Sequence, residues 1–314
     1  MAQKMKTVGV IGGGLMGHGI GLVFAKAGYQ VAIFDPVPEV RAALPERISQ
    51  SHAAMGGAAG DLPAILARVT VVETAPAAAT GAEIIFEAAP EKIALKQQLL
   101  AEVAEAAPDH ALICSNTSVI PITTLAENLP PEAQSRMLGT HWWNPPHLIP
   151  LVELVPTEWT DLSLLGRVFD LLVAVGKTPV KLNRDITGFI GNRLQAALWR
   201  EGISLVEQGV CDAATVDVVV KASFGRRLAV LGPMENLDLI GADLALDIHR
   251  IILPEIDSRP HPSPLLEDMV AAGKLGMKTG TGFQSWTKPE AEAVRARLAN
   301  YLRDIDQALA AAEP

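Results

Sequence analysis

The chain has 314 residues, 49% of them hydrophobic and 19% charged, which suits a protein of two domains with large buried elements. Its formal net charge of −9 argues against nucleic acid and anionic membranes as partners, since both bind basic surfaces, and no apolar run is long enough to span a bilayer. Cys114 and Cys211 are too few for a disulfide framework, and nothing near the start resembles a signal peptide, so we expect reduced thiols and a cytoplasmic protein.

A β-branched run at residues 6–11 predicts a first strand, which leads directly into a glycine-rich turn and then a helix over residues 19–27. Gly12, Gly14 and Gly17 have the spacing G-x-G-x-x-G. The first glycine permits a tight turn, the second lets a pyrophosphate approach the backbone, and the third allows close contact between helix and strand. The turn therefore predicts a dinucleotide site whose phosphates lie at the positive end of the helix.

The second predicted strand, residues 30–34, is followed by an acidic residue at the position where a dinucleotide site needs one. Asp35 comes about 20 residues after the glycines. A carboxylate there accepts hydrogen bonds from ribose hydroxyls and repels a 2′-phosphate, so the sequence favours NAD over NADP as cofactor. Leu15 and Met16, which lie between the glycines, complete the predicted cofactor-binding turn.

Strands and helices then alternate up to residue 182. We expect helices over 38–68, with a break at 55–60, and over 91–107, 121–128 and 161–175, and strands at 69–73, 82–86, 111–114, 137–141, 151–155 and 178–182. This alternation predicts a parallel, doubly wound sheet with right-handed crossovers. The fold class is thus α/β, with a Rossmann-type, mostly parallel sheet.

A polar cluster, Ser115-Asn116-Thr117-Ser118, follows the strand predicted at 111–114. Open α/β sheets bind ligands outside the carboxyl ends of their strands, so the cluster is a candidate for ligand contact. The alternative for any one of these side chains is a helix cap or a turn.

Glu153 stands out because it shares a strand face with Leu151 and Val155. A carboxylate on an apolar face is costly unless something pairs with it. His141 is the nearest candidate, because two adjacent strands would place the two side chains together. A carboxylate behind an imidazole fixes its tautomer and makes the other ring nitrogen a better base. The alternative is a loop histidine and a strand-edge glutamate that never meet.

After a hinge-like turn at residues 185–188 the pattern predicts helices only, over 189–208, 212–221, 233–250 and 289–311, with a surface connection at 254–264. We therefore expect an NAD-binding domain of residues 1–186 and a smaller all-helical domain of residues 187–314. On the first of these helices, Ile190, Leu194 and Leu198 form an apolar stripe, and Asn192 lies outside it. Asn192 could therefore face a cleft. The alternative is an ordinary exposed polar residue.

Five motifs in this order resemble those of the 3-hydroxyacyl-CoA dehydrogenase family, over nearly the whole chain. They are GGGLMGHGI at the nucleotide turn, SNTS at 115–118, HWWNP with a glutamate twelve residues after its histidine, GFIGNR at 188–193 and GMKTGTGF at 276–283.

The resemblance implies roles for the residues of the site. His141 would be the general base that takes the hydroxyl proton, and Glu153 would orient it. Ser118 and Asn192 would hold the reacting oxygen, and Asn144 would support the site from the histidine loop. The hydride would go to the nicotinamide.

The resemblance also implies further contacts to NAD, from Ser118, Asn144, Glu91, Lys96 and Lys278. Family members pair through the helical domain, so a homodimer is implied, and we expect no metal site.

Two departures from the family pattern favour a small anionic substrate over a CoA thioester. Residues 38–68 contain no lysine, whereas the acyl-CoA enzymes place lysines there to meet CoA phosphates. The loop HWWNPPHLIP also carries Trp142, Trp143 and His147, and looks more like the branch that acts on carnitine, gulonate or carboxylated pyridines from vitamin B6 breakdown. His147, Arg226 and Arg227 are candidates to bind a substrate carboxylate, although a plain surface position is the simpler interpretation of each.

Several alternatives stay open at this point. The chain could be a true L-3-hydroxyacyl-CoA dehydrogenase, a pyridine alcohol or aldehyde dehydrogenase, or a non-catalytic NAD-binding protein, since a fold alone does not fix function. The 3-hydroxyisobutyrate type of dehydrogenase is rejected, because its catalytic lysine four residues after an asparagine is replaced here by Ala196.

Overall fold

The computed structural model of the chain describes residues 7–312, so the predicted start of the first strand at Lys6 lies outside the described residues. Eight strands form one sheet in the order β3-β2-β1-β4-β5-β6-β7-β8. They are β1 Thr7–Ile11, β2 Gln30–Phe34, β3 Val69–Val72, β4 Ile84–Glu87, β5 Leu112–Ser115, β6 Met137–Trp142, β7 Leu151–Pro156 and β8 Thr178–Lys181. The first six strands have the order of a Rossmann sheet, which confirms the predicted fold class.

One pair of strands departs from the predicted parallel arrangement. β6 and β7 are antiparallel, whereas every other neighbouring pair is parallel. Only residues 143–150 connect these two strands. A parallel pair of strands needs a crossover connection of a dozen or more residues. This connection is shorter, so β7 runs antiparallel to β6.

Helices cover both faces of the sheet. Those between the strands are α1 Gly17–Lys26, α2 Pro38–Ala42, α3 Leu44–Ala54, α4 Leu62–Leu66, α5 Ala75–Ala79, α6 Ile93–Ala106, α7 Ile122–Ala126, α8 Pro131–Ser135 and α9 Leu162–Ala174, with a 3-10 turn at Ala59–Asp61. The predicted break at 55–60 is confirmed. The five-residue helices α5 and α8 were not predicted, because such short segments carry too little hydrophobic periodicity.

Alternate residues of the central strands pack into two separate hydrophobic clusters, one on each face. One cluster joins Val10, Phe86 and Cys114 to residues of α1, α3 and α9, and the other joins Ile11, Ile85 and Ile113 to residues of α5, α6 and α7. Burial on both faces explains why these strands are continuous apolar runs. The parallel pairing of β1, β4, β5 and β6 places their carboxyl ends along one edge of the sheet.

The remaining helices are α10 Gly191–Glu207, α11 Ala213–Ala222, α12 Pro233–Ile240, α13 Ala242–Ile252, α14 Pro264–Ala271 and α15 Lys288–Ala312. The single helix predicted over 233–250 is wrong: Gly241, with a φ of 93°, separates α12 from α13. The predicted start at 189 is also wrong, because Phe189 has a φ of 50° and lies outside the helical region.

The chain divides into two compact units. The first ends at Asn192 and resumes at Arg297, and the second is Arg193–Ala296. The predicted functional boundary at residue 186 stays a prediction. Within the described residues, no helix is both long enough and apolar enough to cross a membrane.

Candidate active site

The turn between β1 and α1 has the geometry that a dinucleotide needs. Gly12 has a φ of 104°, and a Cβ at Gly17 would lie 1.7 Å from the carbonyl oxygen of Gly12, so neither position tolerates a side chain. A Cβ at Gly14, by contrast, would meet nothing within 4 Å. The turn is therefore closed toward the protein and open on its outer side, where a phosphate can approach the backbone and the N-terminus of α1. These residues fit NAD.

Asp35 lies beside this turn, as predicted. Its side chain is buried, and its Oδ2 and Oδ1 atoms accept hydrogen bonds from the amides of Gly13 and Val37, both at 2.9 Å. These bonds fix the carboxylate at the end of β2. Each oxygen retains further lone pairs, so ribose hydroxyls can still donate to it. Leu15 and Met16 lie in the turn itself, and Leu15 is exposed.

His141 and Glu153 form a buried pair. The two residues are directly opposite each other in the antiparallel pairing of β6 and β7, and His141 Nδ1 lies 2.7 Å from Glu153 Oε2. Both side chains are at most 4% exposed. Because a carboxylate only accepts hydrogen bonds, Nδ1 carries the proton and Nε2 is left with its lone pair. Within the described residues Nε2 makes no hydrogen bond, so it is available as a base.

Glu153 is held by more than the imidazole. Its Oε1 atom accepts hydrogen bonds from the amides of Ile190 (2.9 Å) and Gly191 (3.1 Å), and Trp143 Nε1 lies 3.4 Å from Oε2. Burial alone would raise the pKa of Glu153, but the hydrogen bonds from His141, Gly191 and Ile190 hold it below its ordinary value. Glu153 is therefore an anion at neutral pH and joins β7 to the start of α10.

Two aromatic rings flank the imidazole. The ring centroids of Trp143 and Phe189 lie 5.6 and 5.3 Å from that of His141. The indole packs so closely on Gly191 that a Cβ there would lie 2.3 Å from Trp143 Cζ2. Gly191 is thus required for the position of Trp143, and through it for the walls around the base.

The 115–118 cluster is tied to its neighbours by hydrogen bonds. Ser115 Oγ donates to Glu87 (2.5 Å), Asn116 Oδ1 accepts from the amide of Trp142 (2.9 Å), and Thr117 Oγ1 donates to Glu91. The carbonyl of Ser118 accepts from Asn192 Nδ2 at 2.8 Å, which brings these two predicted site residues together. The Ser118 hydroxyl makes no hydrogen bond with another described residue, so it is free to meet a ligand.

Glu91 and Lys96 belong to a charge network next to this cluster, in which Lys96 is buried and Glu91 is exposed. Lys96 is 1% exposed, and its ammonium group contacts Glu87 (2.8 Å), Glu91 (3.3 Å) and the carbonyl of Ala89 (3.0 Å). Glu91 in turn accepts hydrogen bonds from the amides of Ser118 and Val119. Burial raises the pKa of Glu91, but its hydrogen bonds and the Lys96 cation outweigh burial and lower it. Their direct contact with NAD stays a prediction.

Glu87 was missed in the sequence. It ends the apolar strand β4 and is buried with both oxygens hydrogen-bonded, to Ser115 and to Lys96. Glu153 was singled out as a carboxylate on an apolar strand face, and the same test applied to the strand that Glu87 ends would have singled out Glu87 as well.

The remaining candidates are placed less centrally. Asn144 is exposed and makes no hydrogen bond to another described residue, so its supporting role stays a prediction. The surface interpretation of His147 is wrong: the ring is half-buried, and burial, with the nearby His18 and Lys177 side chains, lowers its pKa to about 4. Lys278, Arg226 and Arg227 lie in the second unit, and their roles also stay predictions.

Among residues 7–312, no group of three or more His, Cys, Asp or Glu side chains is placed to hold a metal ion.

Known proteins resemble the chain over most of its length. The chain is 30% identical to the 5-formyl-3-hydroxy-2-methylpyridine 4-carboxylate 5-dehydrogenase of Mesorhizobium japonicum, over 95% of this chain and 96% of that protein. It is 32% identical to the L-carnitine dehydrogenase of Streptomyces coelicolor, over 86% of this chain and 87% of the relative.

Among solved structures, that of a 5-formyl-3-hydroxy-2-methylpyridine 4-carboxylic acid 5-dehydrogenase, described as an NAD+ dependent dismutase, superposes with a TM-score of 0.90. It is 30% identical and covers 98% of this chain and 100% of the other. Residues 7–186 match the family model "3-hydroxyacyl-CoA dehydrogenase, NAD binding domain", and residues 188–286 match "3-hydroxyacyl-CoA dehydrogenase, C-terminal domain". The chain therefore belongs to the 3-hydroxyacyl-CoA dehydrogenase family and is an NAD-dependent dehydrogenase that acts on a hydroxyl group.

Proposed function

We propose that the chain oxidises the hydroxyl group of a small anionic substrate, with His141 as the general base. The single observation that carries this proposal is the buried His141–Glu153 pair, in which Nδ1 faces the carboxylate and Nε2 makes no hydrogen bond to a described residue. The substrate hydroxyl donates to Nε2 and its proton passes to that atom. Glu153 stabilises the imidazolium that forms, and a base held in this way contributes roughly 10²- to 10⁴-fold to the rate. NAD, when bound, accepts the hydride that leaves the same carbon.

Ser118 and Asn192 hold the reacting oxygen in this proposal. Asn192 already donates one amide hydrogen to the Ser118 carbonyl, which fixes the amide and keeps its second hydrogen free to donate. The Ser118 hydroxyl is the other donor. Two donors fixed on different elements define one position for the substrate oxygen, which orients the carbon for hydride transfer.

His141→Ala tests the base directly. We expect turnover to fall by roughly 10²- to 10⁴-fold while the dissociation constant for NADH stays within about twofold, because His141 is not part of the glycine turn. The matched control is His110→Ala, which removes an exposed histidine. Unchanged turnover in His141→Ala would remove His141 from the mechanism as its base.

The charges of residues 38–68 support a substrate without CoA. This segment has no lysine, and two of its three arginines are committed to backbone carbonyls, Arg41 to Asp35 (2.7 Å) and Arg68 to Ala25 (3.2 Å). Only Arg47 remains for a phosphate. The names of the two relatives give carnitine and a pyridine carboxylate as their substrates, and both compounds are small and lack CoA.

Calorimetric titration with CoA tests this point without a known substrate. We expect no binding of CoA below about 1 mM, in a sample that binds NADH. Tight binding of CoA would favour the alternative of a 3-hydroxyacyl-CoA dehydrogenase.

A second candidate is a pyridine aldehyde that carries a carboxylate. It is favoured by the TM-score of 0.90 over 98% of the chain with a structure of that activity. A hydrated aldehyde presents a carbon with both a hydroxyl group and a hydrogen, so the same base and the same hydride acceptor serve its oxidation. Turnover of pyridine aldehydes but not of carnitine would select this candidate, and the reverse result would exclude it.

We propose that the protein is a homodimer that pairs through its second unit. Within Arg193–Ala296, all of which the structure describes, the only buried residues are Ser204, Ala245 and Ala291. Large apolar side chains there are more than half exposed, among them Val230, Met234, Leu239, Leu244 and Ile251. A unit of this size with almost no core of its own needs a partner surface to bury that area, and a second copy is the simplest one.

Sedimentation equilibrium tests the dimer. We expect a mass of twice 33.3 kDa for the parent and dissociation of Ile251→Lys, which puts a charge on a side chain that is 74% exposed in the single chain. Val173→Lys, an exposed apolar position at the end of α9 in the first unit, is the matched control and should stay dimeric. A monomeric parent would contradict the proposal.

We also propose a reducing, cytoplasmic location, which is supported by the free thiols of Cys114 and Cys211.

A further inference from the structure

His18 is a buried histidine that the base chemistry does not use. It follows Gly17 in the first turn of α1 and is 8% exposed. Its Nδ1 atom lies 2.6 Å from the carbonyl oxygen of Gly14, and its Nε2 atom lies 3.0 Å from Ser51 Oγ on α3. The side chain therefore links the glycine turn to a second helix.

The hydrogen bonds determine the tautomer of this imidazole. A carbonyl oxygen can only accept, so Nδ1 carries the proton and donates it to Gly14. Nε2 then accepts from the hydroxyl of Ser51. Burial lowers the pKa of His18 below its ordinary value; the bond to Gly14 opposes this, and the nearby Arg47 cation lowers it further. The ring is neutral at pH 7, with one fixed donor aimed at the turn.

The bond to Gly14 has a consequence for the next amide. The Gly14–Leu15 peptide is trans, because the only cis peptide in the described chain joins Asn144 and Pro145. In a trans peptide the C=O and N–H groups point in opposite directions. A carbonyl held toward His18 therefore turns the Leu15 N–H outward. No described residue accepts from this N–H, and a Cβ at Gly14 would meet nothing within 4 Å.

A cavity lies beside the ring of His18. It has a volume of about 480 Å³ and is lined by Leu15, His18, Arg47, Gln50 and Ser51. Arg47 forms no ion pair within the described residues, so an unpaired cation lines the same cavity as Leu15, whose amide has no acceptor. This combination suits the diphosphate of the cofactor.

We propose that His18, held by Ser51, is a positioning residue that aims the Leu15 amide at the diphosphate of NAD. His18 touches neither the reacting carbon nor the nicotinamide in this role. It acts through the backbone, by holding a peptide plane whose carbonyl otherwise accepts only a long bond, of 3.5 Å, from the amide of His18 among the described residues. Ser51 keeps the ring in the tautomer that donates to Gly14.

Fluorescence titration of NADH tests the proposal without any substrate, so its outcome is independent of the proposed reaction. His18→Leu removes the donor, and we expect the dissociation constant for NADH to rise about tenfold, the effect of one hydrogen bond to a charged group. His18→Asn, whose amide can donate from the position of Nδ1, should restore affinity to within about threefold. Ser51→Ala should weaken binding about threefold. Ser49→Ala, which removes a hydroxyl group of α3 that bonds the carbonyl of Pro45 and not His18, is the matched control and should leave NADH affinity unchanged.

A comparison of two probes separates positioning of the diphosphate from general disruption. ADP-ribose contains the diphosphate and should lose affinity in His18→Leu by the same factor as NADH, whereas AMP should not. Equal weakening of AMP, or an NADH dissociation constant within twofold of the parent, would overturn the proposal. If His18→Leu does not fold, Ser51→Ala decides in the same way: selective weakening of ADP-ribose supports the proposal, and unchanged binding refutes it.

Discussion

Replacing Glu153 by glutamine removes one negative charge and one hydrogen-bond acceptor while preserving shape. In the parent, Oε2 accepts from His141 Nδ1, and Oε1 accepts from the amides of Ile190 and Gly191. Glutamine offers one oxygen and one NH₂ group. Whichever way it lies, the NH₂ group faces a donor that the carboxylate had satisfied.

The two orientations of the glutamine have different costs. If NH₂ faces Ile190 and Gly191, two partly buried amides lose their acceptor, at up to about 1 kcal/mol each. If it faces His141, the imidazole must accept at Nδ1 and carry its proton on Nε2, where it can no longer act as a base. In both cases the imidazolium loses its buried counter-charge. We therefore expect kcat to fall by roughly 10²- to 10⁴-fold.

The assay is steady-state formation of NADH, with titration of NADH binding on the same samples. We expect NADH affinity to stay within about twofold, since Glu153 does not touch the glycine turn. Glu158→Gln, an exposed position shortly after β7, is the control for the chemistry of the substitution. A kcat of Glu153→Gln within about threefold of the parent would refute the role given to the His141–Glu153 pair.

Three further perturbations follow from the structure. Gly17→Ala puts a Cβ 1.7 Å from the Gly12 oxygen, so we expect about 1–3 kcal/mol of lost stability and NADH binding weakened at least about tenfold; parent-like titrations would contradict this. Folding lowers the pKa of His147 from 6.5 to about 4, because the folded protein favours its neutral form. The free energy of unfolding should therefore fall by up to about 2–3 kcal/mol as the pH drops from 6.5 to about 4. In urea unfolding, His147→Leu should lose less stability than the parent over this pH range, and an equal loss would exclude His147 as the cause. Burial raises the pKa of Cys114, so a thiol reagent should label Cys211 alone in the native protein and both thiols after unfolding.

The positions of most strands could be predicted because local patterns encode them. The apolar runs of β1, β4 and β5 and the spacing of Gly12, Gly14 and Gly17 need no information from distant residues. The His141–Glu153 contact was also accessible, since a glutamate on an apolar strand face needs a partner and few were near. The antiparallel direction of β7 follows from the short connection before it, which the expectation of alternating elements overlooked.

Other features depend on residues far apart in the chain and were not accessible from local patterns. The amides of Ile190 and Gly191 reach Glu153 only because the start of α10 returns to the sheet. Likewise, the burial of Lys96 depends on Glu87, and the link from Gly14 through His18 depends on Ser51. The kink at Gly241 was missed because glycine inside a helical pattern is compatible with either a continuous helix or a break.

The most direct measurement compares substrates. Purified protein with NAD would be offered 3-hydroxybutyryl-CoA, free carnitine, gulonate, 3-hydroxybutyrate, and pyridine alcohols and aldehydes with a carboxylate, and the appearance of NADH would be followed. We expect the highest kcat/KM for one free anionic compound, exceeding that of the thioester by about 100-fold or more, because the segment that would meet CoA phosphates has no lysine. A thioester that is turned over fastest, with the free compounds inert, would contradict the small anionic substrate.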